Sequence, residues 1–184
     1  MSTKTSIALK SIALTLGAVA ISSCSIPGIT LFATNDSGAT LTTGESANTH
    51  FFTHEMNHDS GIALEAGGRY AMDITILSNW TDSNIATNES DQPLDETGFA
   101  NSLMPWDWVG LTRRSKQHNW FELMLKQPGC GGALGVSDLE FDETAGHYNF
   151  TADCSGRLQL FVNDSIGFYG NNVGYANITV SRLN

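Results

Sequence analysis

The chain has 184 residues, among them 19 Asp and Glu against 9 Lys and Arg, which gives a formal net charge of −10. A surface this acidic repels phosphate backbones and argues against nucleic acid as a partner. The length is that of one domain with a single hydrophobic core, once an N-terminal targeting segment is set aside.

Residues 1–23 have the pattern of a bacterial lipoprotein signal peptide. Two lysines precede an apolar run over 11–21, which is too short for a bilayer because spanning takes ~20 residues. Ile21-Ser22-Ser23-Cys24 then has the pattern of a lipobox, which predicts cleavage before Cys24 and acylation of its thiol. An ordinary signal peptidase site at Ala18-Val19-Ala20 is the alternative.

This N-terminus predicts an exported protein that meets the membrane only through its lipid anchor. Ser25 after the cysteine suits the bacterial outer membrane, and a periplasmic or secreted protein is the alternative. Residues 24–47 are rich in Ser, Thr, Gly and Ala, and are predicted to be part tether and part first strand, from Ile29 to Ala33. The folded domain is predicted over 48–184.

A histidine cluster comes first in that domain. His54-Glu55-Met56-Asn57-His58 matches the zinc-peptidase pattern H-E-x-x-H, and His50 adds a third histidine. The pattern binds zinc only on a helix, and the flanking residues leave little room for one. On a strand, the two histidines of the pattern would stand ~13 Å apart, too far to share an ion. A surface cluster leading into a hairpin is therefore the favoured interpretation.

Period-two alternation recurs along the rest of the chain and indicates short strands. No helical period competes with it, so the sequence predicts an all-β sandwich with Trp80 and Trp120 in the core. The alternating apolar sets are Tyr70, Met72, Ile74 and Ile76; Leu123 and Leu125; Tyr148 and Phe150; Leu158, Leu160 and Val162; and Ala176, Ile178 and Val180.

Residues 81–108 interrupt this pattern with a long acidic segment that ends in Trp106-Asp107-Trp108. Loops of this length in compact domains are usually functional or disordered. Exposed tryptophans suit sugar recognition, since a ring offers a flat apolar face to the C–H side of a pyranose. The alternative is that both tryptophans pin the loop to the sandwich.

Cys130 and Cys154 remain as an even pair once Cys24 carries lipid. Export to an oxidising compartment predicts a disulfide between them. Two buried free thiols are the alternative.

The stretch 163–174 joins two alternating runs near the C-terminus. It is longer than a plain hairpin turn and collects one carboxylate, three side-chain amides and three glycines. Calcium takes oxygens from carboxylates, amides and backbone carbonyls, and glycine lets a backbone curl at positive φ. The composition predicts a calcium loop, with an ordinary polar loop as the alternative.

This stretch resembles the last hairpin of the PA-IL-type lectins, small calcium-dependent bacterial lectins that bind galactose. Their pattern N-D-x-x-G-x-Y-x-N-N-x-G is matched without a gap at seven of twelve positions: Asn163, Asp164, Gly167, Tyr169, Asn171, Asn172 and Gly174. The resemblance is specific over 156–182 and weak over 48–155, and it implies a jelly-roll-type β-sandwich that is galactose-binding-domain-like.

The resemblance implies a calcium site built from five residues. Asp164, Asn171 and Asn172 would contribute side-chain oxygens, and Phe168 and Ser83 would contribute backbone carbonyls. In those lectins the sugar adds two hydroxyls to the same ion, and the residues that match Asp164 and Asn171 touch both. The family's sugar-binding histidine and glutamine have no counterpart here, so Trp106, Asp107 and Trp108 are predicted to complete the sugar contact.

The predicted function is a calcium-dependent carbohydrate-binding lipoprotein exposed at the bacterial cell envelope, without catalytic activity. A hexose-containing glycan is the expected ligand, and an oligomer is compatible with the sequence. One alternative is a non-catalytic structural or protein-interaction module in which calcium only rigidifies the loop. The other is a zinc metallopeptidase that uses His54, Glu55 and His58.

Overall fold

The computed structural model of this protein describes residues 38–184. The signal peptide, the lipidated Cys24 and the strand expected from Ile29 to Ala33 lie outside the described residues.

Within residues 38–184 the chain forms ten strands: β1 Ala39–Thr40, β2 Ser46–Phe52, β3 His58–Leu64, β4 Arg69–Asp82, β5 Leu123–Lys126, β6 Leu134–Gly135, β7 Glu140–Asp142, β8 His147–Thr151, β9 Gly156–Val162 and β10 Asn172–Arg182. They make two five-stranded sheets, with the orders β1-β3-β9-β5-β6 and β2-β10-β4-β8-β7. Strand β1 runs parallel to β3, whereas every other pair is antiparallel.

The short helices among the described residues are all of the 3-10 type, and they occupy Asn101–Leu103, Asp107–Thr112, Val136–Asp138 and Tyr169–Asn171. In this part of the chain no helix has the length and apolar character needed to cross a membrane.

One core joins the two sheets, and the alternation in the sequence explains it. From Ala176 to Val180 every second residue of β10 is buried and lies opposite a core-facing residue of β4, with Ile178 paired to Ile74 and Val180 to Met72. Trp80 is fully buried and meets Phe121 edge-on at 6.2 Å between ring centroids, which links β4 to the start of β5. The prediction of an all-β sandwich with Trp80 and Trp120 in its core is confirmed.

The folded part begins before residue 48, where the sequence placed the boundary. Leu41 and Ala47 are buried in the core, and β2 starts at Ser46 beside β10. The segment had the composition of a tether, but the burial of Leu41 and the pairing of Ser46 and Ala47 with β10 make it part of the sandwich.

The disulfide is present. Cys130 and Cys154 are bonded, with their Cα atoms 6.0 Å apart. The bond ties the turn after β5 to the turn between β8 and β9.

The histidine cluster forms a hairpin and not a helix. Strand β2 ends at Phe52 and β3 begins at His58, so the H-E-x-x-H segment is strand, turn and strand. The His58 ring contacts Thr49 Oγ1 at 2.7 Å through Nε2 and contacts Glu55 through Nδ1. This geometry lacks the helical turn that would bring His54 and His58 to one ion.

Candidate cation and ligand site

The candidate site lies at one end of the sandwich, where the turn between β9 and β10 meets the end of β4. Asn163 is fully buried and organises this end. Its Oδ1 accepts the Ser115 backbone N–H at 2.8 Å, and its Nδ2 donates to the carbonyls of Ser115 and Asn119, each at 2.8 Å. The first asparagine of the motif therefore fixes the 115–119 segment against the turn.

Asp164 is buried at the base of this end, as expected for a ligand. Its Oδ1 accepts the Ser165 backbone N–H at 2.6 Å, and its Oδ2 accepts Asn172 Nδ2 at 3.0 Å. Burial raises the pKa of the Asp164 carboxyl above its usual range, against the opposing effect of these two bonds.

Asn172 has one orphaned polar atom. Its Nδ2 donates to Asp164 and, at 3.2 Å, to the Thr53 carbonyl. Its Oδ1 is buried, and no donor from residues 38–184 bonds to it. A buried oxygen without a partner is costly, and a cation beside it would remove that cost. The donor chemistry here fits a hard ion such as calcium.

Asp82, the last residue of β4, is a second buried carboxylate at the same place. It is only 5% exposed, and Asn172 of β10 lies directly opposite it in the strand register. Its only side-chain contact among the described residues is with Asn171 Nδ2 at 3.5 Å, the limit of a hydrogen bond. Burial, and then the charge of Asp164, raise the pKa of Asp82 to about 6.

Ser83 and Phe168, whose backbone carbonyls are predicted ligands, line the same pocket as Asp82 and Asp164. Ser83 adopts a left-handed conformation at φ 54°, which is uncommon without glycine and is typical of functional sites. Its N–H points to the Asn171 carbonyl at 3.4 Å. The Phe168 carbonyl accepts the Asn171 N–H at 3.1 Å and keeps a second lone pair.

The three glycines of the 163–174 stretch contribute to the packing of the fold more than to the candidate cation site. Only Gly174 of the three has positive φ, at 132°. A Cβ there would lie 2.6 Å from Trp80 Cδ1, so glycine allows the core tryptophan to pack against β10. Gly167 and Gly170 have open space around them, and the expected curling at positive φ does not occur at either.

A pocket of about 320 Å³ is lined by Asp82, Asp164 and Asn171, whereas Asn172, which bonds to Asp164, is not part of the lining. This pocket, here called the tryptophan pocket, lies at the small end of the roughly 300–1,000 Å³ usual for ligand sites. Its lining brings together the end of β4, the β9–β10 turn and the loop before β5, through Asp82, Ser83, Asn84, Ile85, Met104, Pro105, Trp106, Trp108, Val109, Thr112, Trp120, Asp164, Ser165, Phe168 and Asn171.

Trp106 and Trp108 form the exposed rim of the tryptophan pocket. They are 61% and 62% exposed, and their rings stack with centroids 6.2 Å apart and planes inclined by 16°. The alternative that they pin the loop is wrong. Trp120 does so instead, because its buried ring donates from Nε1 to Asn101 Oδ1 at 2.8 Å. Asp107, grouped with the two tryptophans in the sequence, is exposed and does not line the pocket.

Asp82 is the site residue that sequence reasoning missed. In the sequence, Asp82 is distinguished only as one of the acidic residues of the 81–108 segment. Strand alternation held the signal, because Trp80 points into the core and a residue two positions later shares its face. No three His, Cys, Asp or Glu side chains of residues 38–184 come together as a metal site, so amide and backbone oxygens are indispensable here.

No protein-family model matches this chain, and no curated protein matches it. Among solved structures, the chain is similar to one described as the N-terminal domain of EclA, a PllA-like lectin, at 17% sequence identity and a TM-score of 0.46. The likeness covers 73% of this chain and 94% of that chain. A likeness this distant assigns no family, so the resemblance to PA-IL-type lectins stays a prediction.

Proposed function

We propose that this protein is a calcium-dependent carbohydrate-binding protein that acts without catalysis. The observation that carries the proposal is the tryptophan pocket, which is lined by two buried carboxylates, Asp82 and Asp164, and has two stacked, exposed indoles at its rim. Oxygen atoms that can bind a cation lie beside two apolar indole rings. This arrangement suits a ligand with hydroxyls on one side and C–H groups on the other.

The cation would be held by the residues that the sequence predicted. Asp164 contributes the charged oxygen, Asn172 its orphaned Oδ1, and Asn171 its side-chain amide oxygen, while Ser83 and Phe168 present carbonyls. Calcium takes roughly six to eight oxygens, so this set leaves room for ligand oxygens. When bound, calcium supplies open coordination positions for two sugar hydroxyls.

The rest of the sugar contact is assigned to the two rim tryptophans. Their exposed faces offer apolar area at low entropic cost, because an indole side chain has only two rotatable bonds. Trp106 and Trp108 are therefore proposed to set the affinity for a hexose-containing glycan, and the ion to select the geometry of its hydroxyls.

Export and a lipid anchor at Cys24 belong to the same proposal, with the bacterial outer membrane as the destination. The Cys130–Cys154 bond supports export, because disulfides persist in oxidising compartments. Intact-mass analysis of protein extracted from membranes tests the anchor. An acylated mature form that begins at Cys24 is expected, and an unacylated form beginning at Ile21 contradicts the anchor.

The function is tested on the purified protein with and without chelator. Calorimetry should show calcium binding to the unchanged protein and at least ~100-fold weaker binding to Asp164→Ala, since the charged ligand is gone. A glycan array should show hexose-containing ligands retained in calcium and lost in chelator. Asp107→Ala is the matched control, because Asp107 lies outside the pocket lining.

The outcomes separate the alternatives. Calcium binding with no retained glycan, at millimolar ligand and saturating calcium, replaces the lectin by a calcium-stabilised module. Absence of calcium binding in the unchanged protein overturns the proposal. Stoichiometric zinc that His54→Ala/His58→Ala removes would favour the peptidase.

A further inference from the structure

We propose that Asp82 is a second carboxylate ligand of the cation, so that the tryptophan pocket holds a two-aspartate site. The inference rests on the proposed function and adds a residue that the lectin motif does not contain.

The position of Asp82 is set by the strand register and not by a flexible loop. Asp82 ends β4 and lies opposite Asn172, the first residue of β10, whose orphaned Oδ1 is a proposed ligand. Next to it, Asn171 approaches Asp82 Oδ1 at 3.5 Å. Asp82 and Asp164 both line the same pocket, so two carboxylates from different parts of the chain share one space.

The protein supplies no countercharge for this pair. Ion pairs among residues 38–184 involve Glu55, Asp59, Glu65 and Asp138, but neither Asp82 nor Asp164. Two negative charges close together in a buried site repel each other, and each carboxylate also loses hydration, so both effects destabilise the folded state. Folded proteins tolerate buried charges that are paired or that coordinate metals. None of these four ion pairs neutralises Asp82 or Asp164, and a divalent cation is the partner that would neutralise both carboxylates at neutral pH.

Two carboxylates also match the charge of a divalent ion. One aspartate with neutral amides and carbonyls leaves a net positive site when calcium is bound, whereas two aspartates neutralise it. Calcium affinity rises with the number of charged ligands and with the rigidity of the site. The ion should therefore bind firmly before any sugar arrives, and the sugar should add to a preformed calcium complex.

The test uses Asp82→Asn, which keeps the size and the hydrogen-bonding oxygen but removes the charge. Calcium affinity is measured by calorimetry, and terbium affinity by luminescence sensitised through Trp120, which lines the pocket. We expect Asp82→Asn to weaken both ions by roughly 30-fold or more. Asp91→Asn is the control, because Asp91 is an exposed acid of the same segment at φ 57°, a conformation that Asn also adopts.

A thermal melt in chelator separates a ligand from a structural residue. Removing one of two unpaired buried charges should raise the calcium-free melting temperature of Asp82→Asn, while the gain from adding calcium shrinks. A structural role for Asp82 predicts a lower calcium-free melting temperature instead. Near-UV circular dichroism identical to that of the unchanged protein shows that the variant is folded.

The two proposals fail differently. If the unchanged protein binds calcium and terbium, Asp164→Ala loses them and Asp82→Asn does not, the two-aspartate site is overturned and the proposed function stands. If the unchanged protein binds neither ion, both are overturned.

Discussion

Two regions of this sandwich bury acidic side chains, and the hydrogen bonding of these side chains differs between the two regions. Near the loop before β5, Glu122 is almost fully buried, and its carboxylate accepts bonds from Asn119 N at 2.9 Å and from Ser137 N and Oγ at 3.0 and 2.6 Å. In the tryptophan pocket, Asp82 has one contact at the limit of hydrogen bonding.

The side chains around Glu122 are also fully hydrogen-bonded, unlike Asp82. His118 is buried beside it, with one ring nitrogen 2.6 Å from Ser115 Oγ and the other 2.7 Å from Asp138 Oδ2. Each polar group in that cluster has a partner from the chain, so the cluster locks the 115–122 segment. Glu122 is therefore part of the fold, whereas Asp82, which has one marginal hydrogen bond, is the buried acid for which we propose a cation as the partner.

The largest expected effect tests the satisfied cluster. Glu122→Ala should lower the free energy of unfolding by roughly 3–5 kcal/mol, because three hydrogen bonds to its buried carboxylate are lost together. Chemical denaturation should give the same loss with calcium and with chelator, since this cluster does not belong to the cation site. Glu140→Ala, an exposed acid of β7, should change little. A loss confined to the calcium form would contradict the structural role of Glu122.

The second effect tests the burial of Asp82 through the pH dependence of stability, measured without calcium. The folded-state pKa of Asp82, about 6, lies above its usual 3.8, so the folded protein holds this proton more tightly than the unfolded chain. The Asp82 contribution to stability is therefore present below pH 4 and is lost as pH rises through 6, by about 3 kcal/mol.

Other acids titrate in the same range, so the difference between the unchanged protein and Asp82→Asn isolates this contribution. Urea denaturation in chelator at pH 4 and pH 7 should show the variant gaining relative stability at pH 7. A difference that stays constant with pH means that Asp82 is not perturbed by burial.

The third effect tests the rim of the tryptophan pocket. Trp106→Ala and Trp108→Ala should each weaken glycan binding about tenfold, or roughly 1–2 kcal/mol, because a stacking face is lost. Calcium affinity should not change, since neither indole is a ligand. Leu77→Ala is the control, as Leu77 is half-exposed on β4 away from the pocket. Equal glycan affinity in all three variants would remove the tryptophans from the site.

The smallest effect concerns the histidine hairpin. His58→Ala should cost about 1 kcal/mol of stability, since the bond to Thr49 is lost, and His54→Ala should cost less because His54 is exposed. Elemental analysis should find the same metal content in the double variant as in the unchanged protein.

The sequence by itself determined the strands and the position of the polar turn at 163–174, for which a calcium site is proposed. Period-two alternation is a local property of the sequence. Residues such as Ile178 and Val180 therefore indicate a buried strand face even when the neighbouring strands are unknown. The same holds for the turn at 163–174, whose carboxylate and amides are neighbours in the chain. Cysteine arithmetic predicted the Cys130–Cys154 bond, because only one pairing remained.

Only the tertiary structure decided which distant groups share the site. Asp82 meets Asp164 because the register of β4 against β10 places it opposite Asn172, and register is a long-range property. The same packing placed Trp106 and Trp108 on the rim, sent Trp120 into the core and gave Glu122 its donors. The local sequence pattern determines which side chains point into the core. The net charge of a buried site, however, depends on all the segments that pack around it.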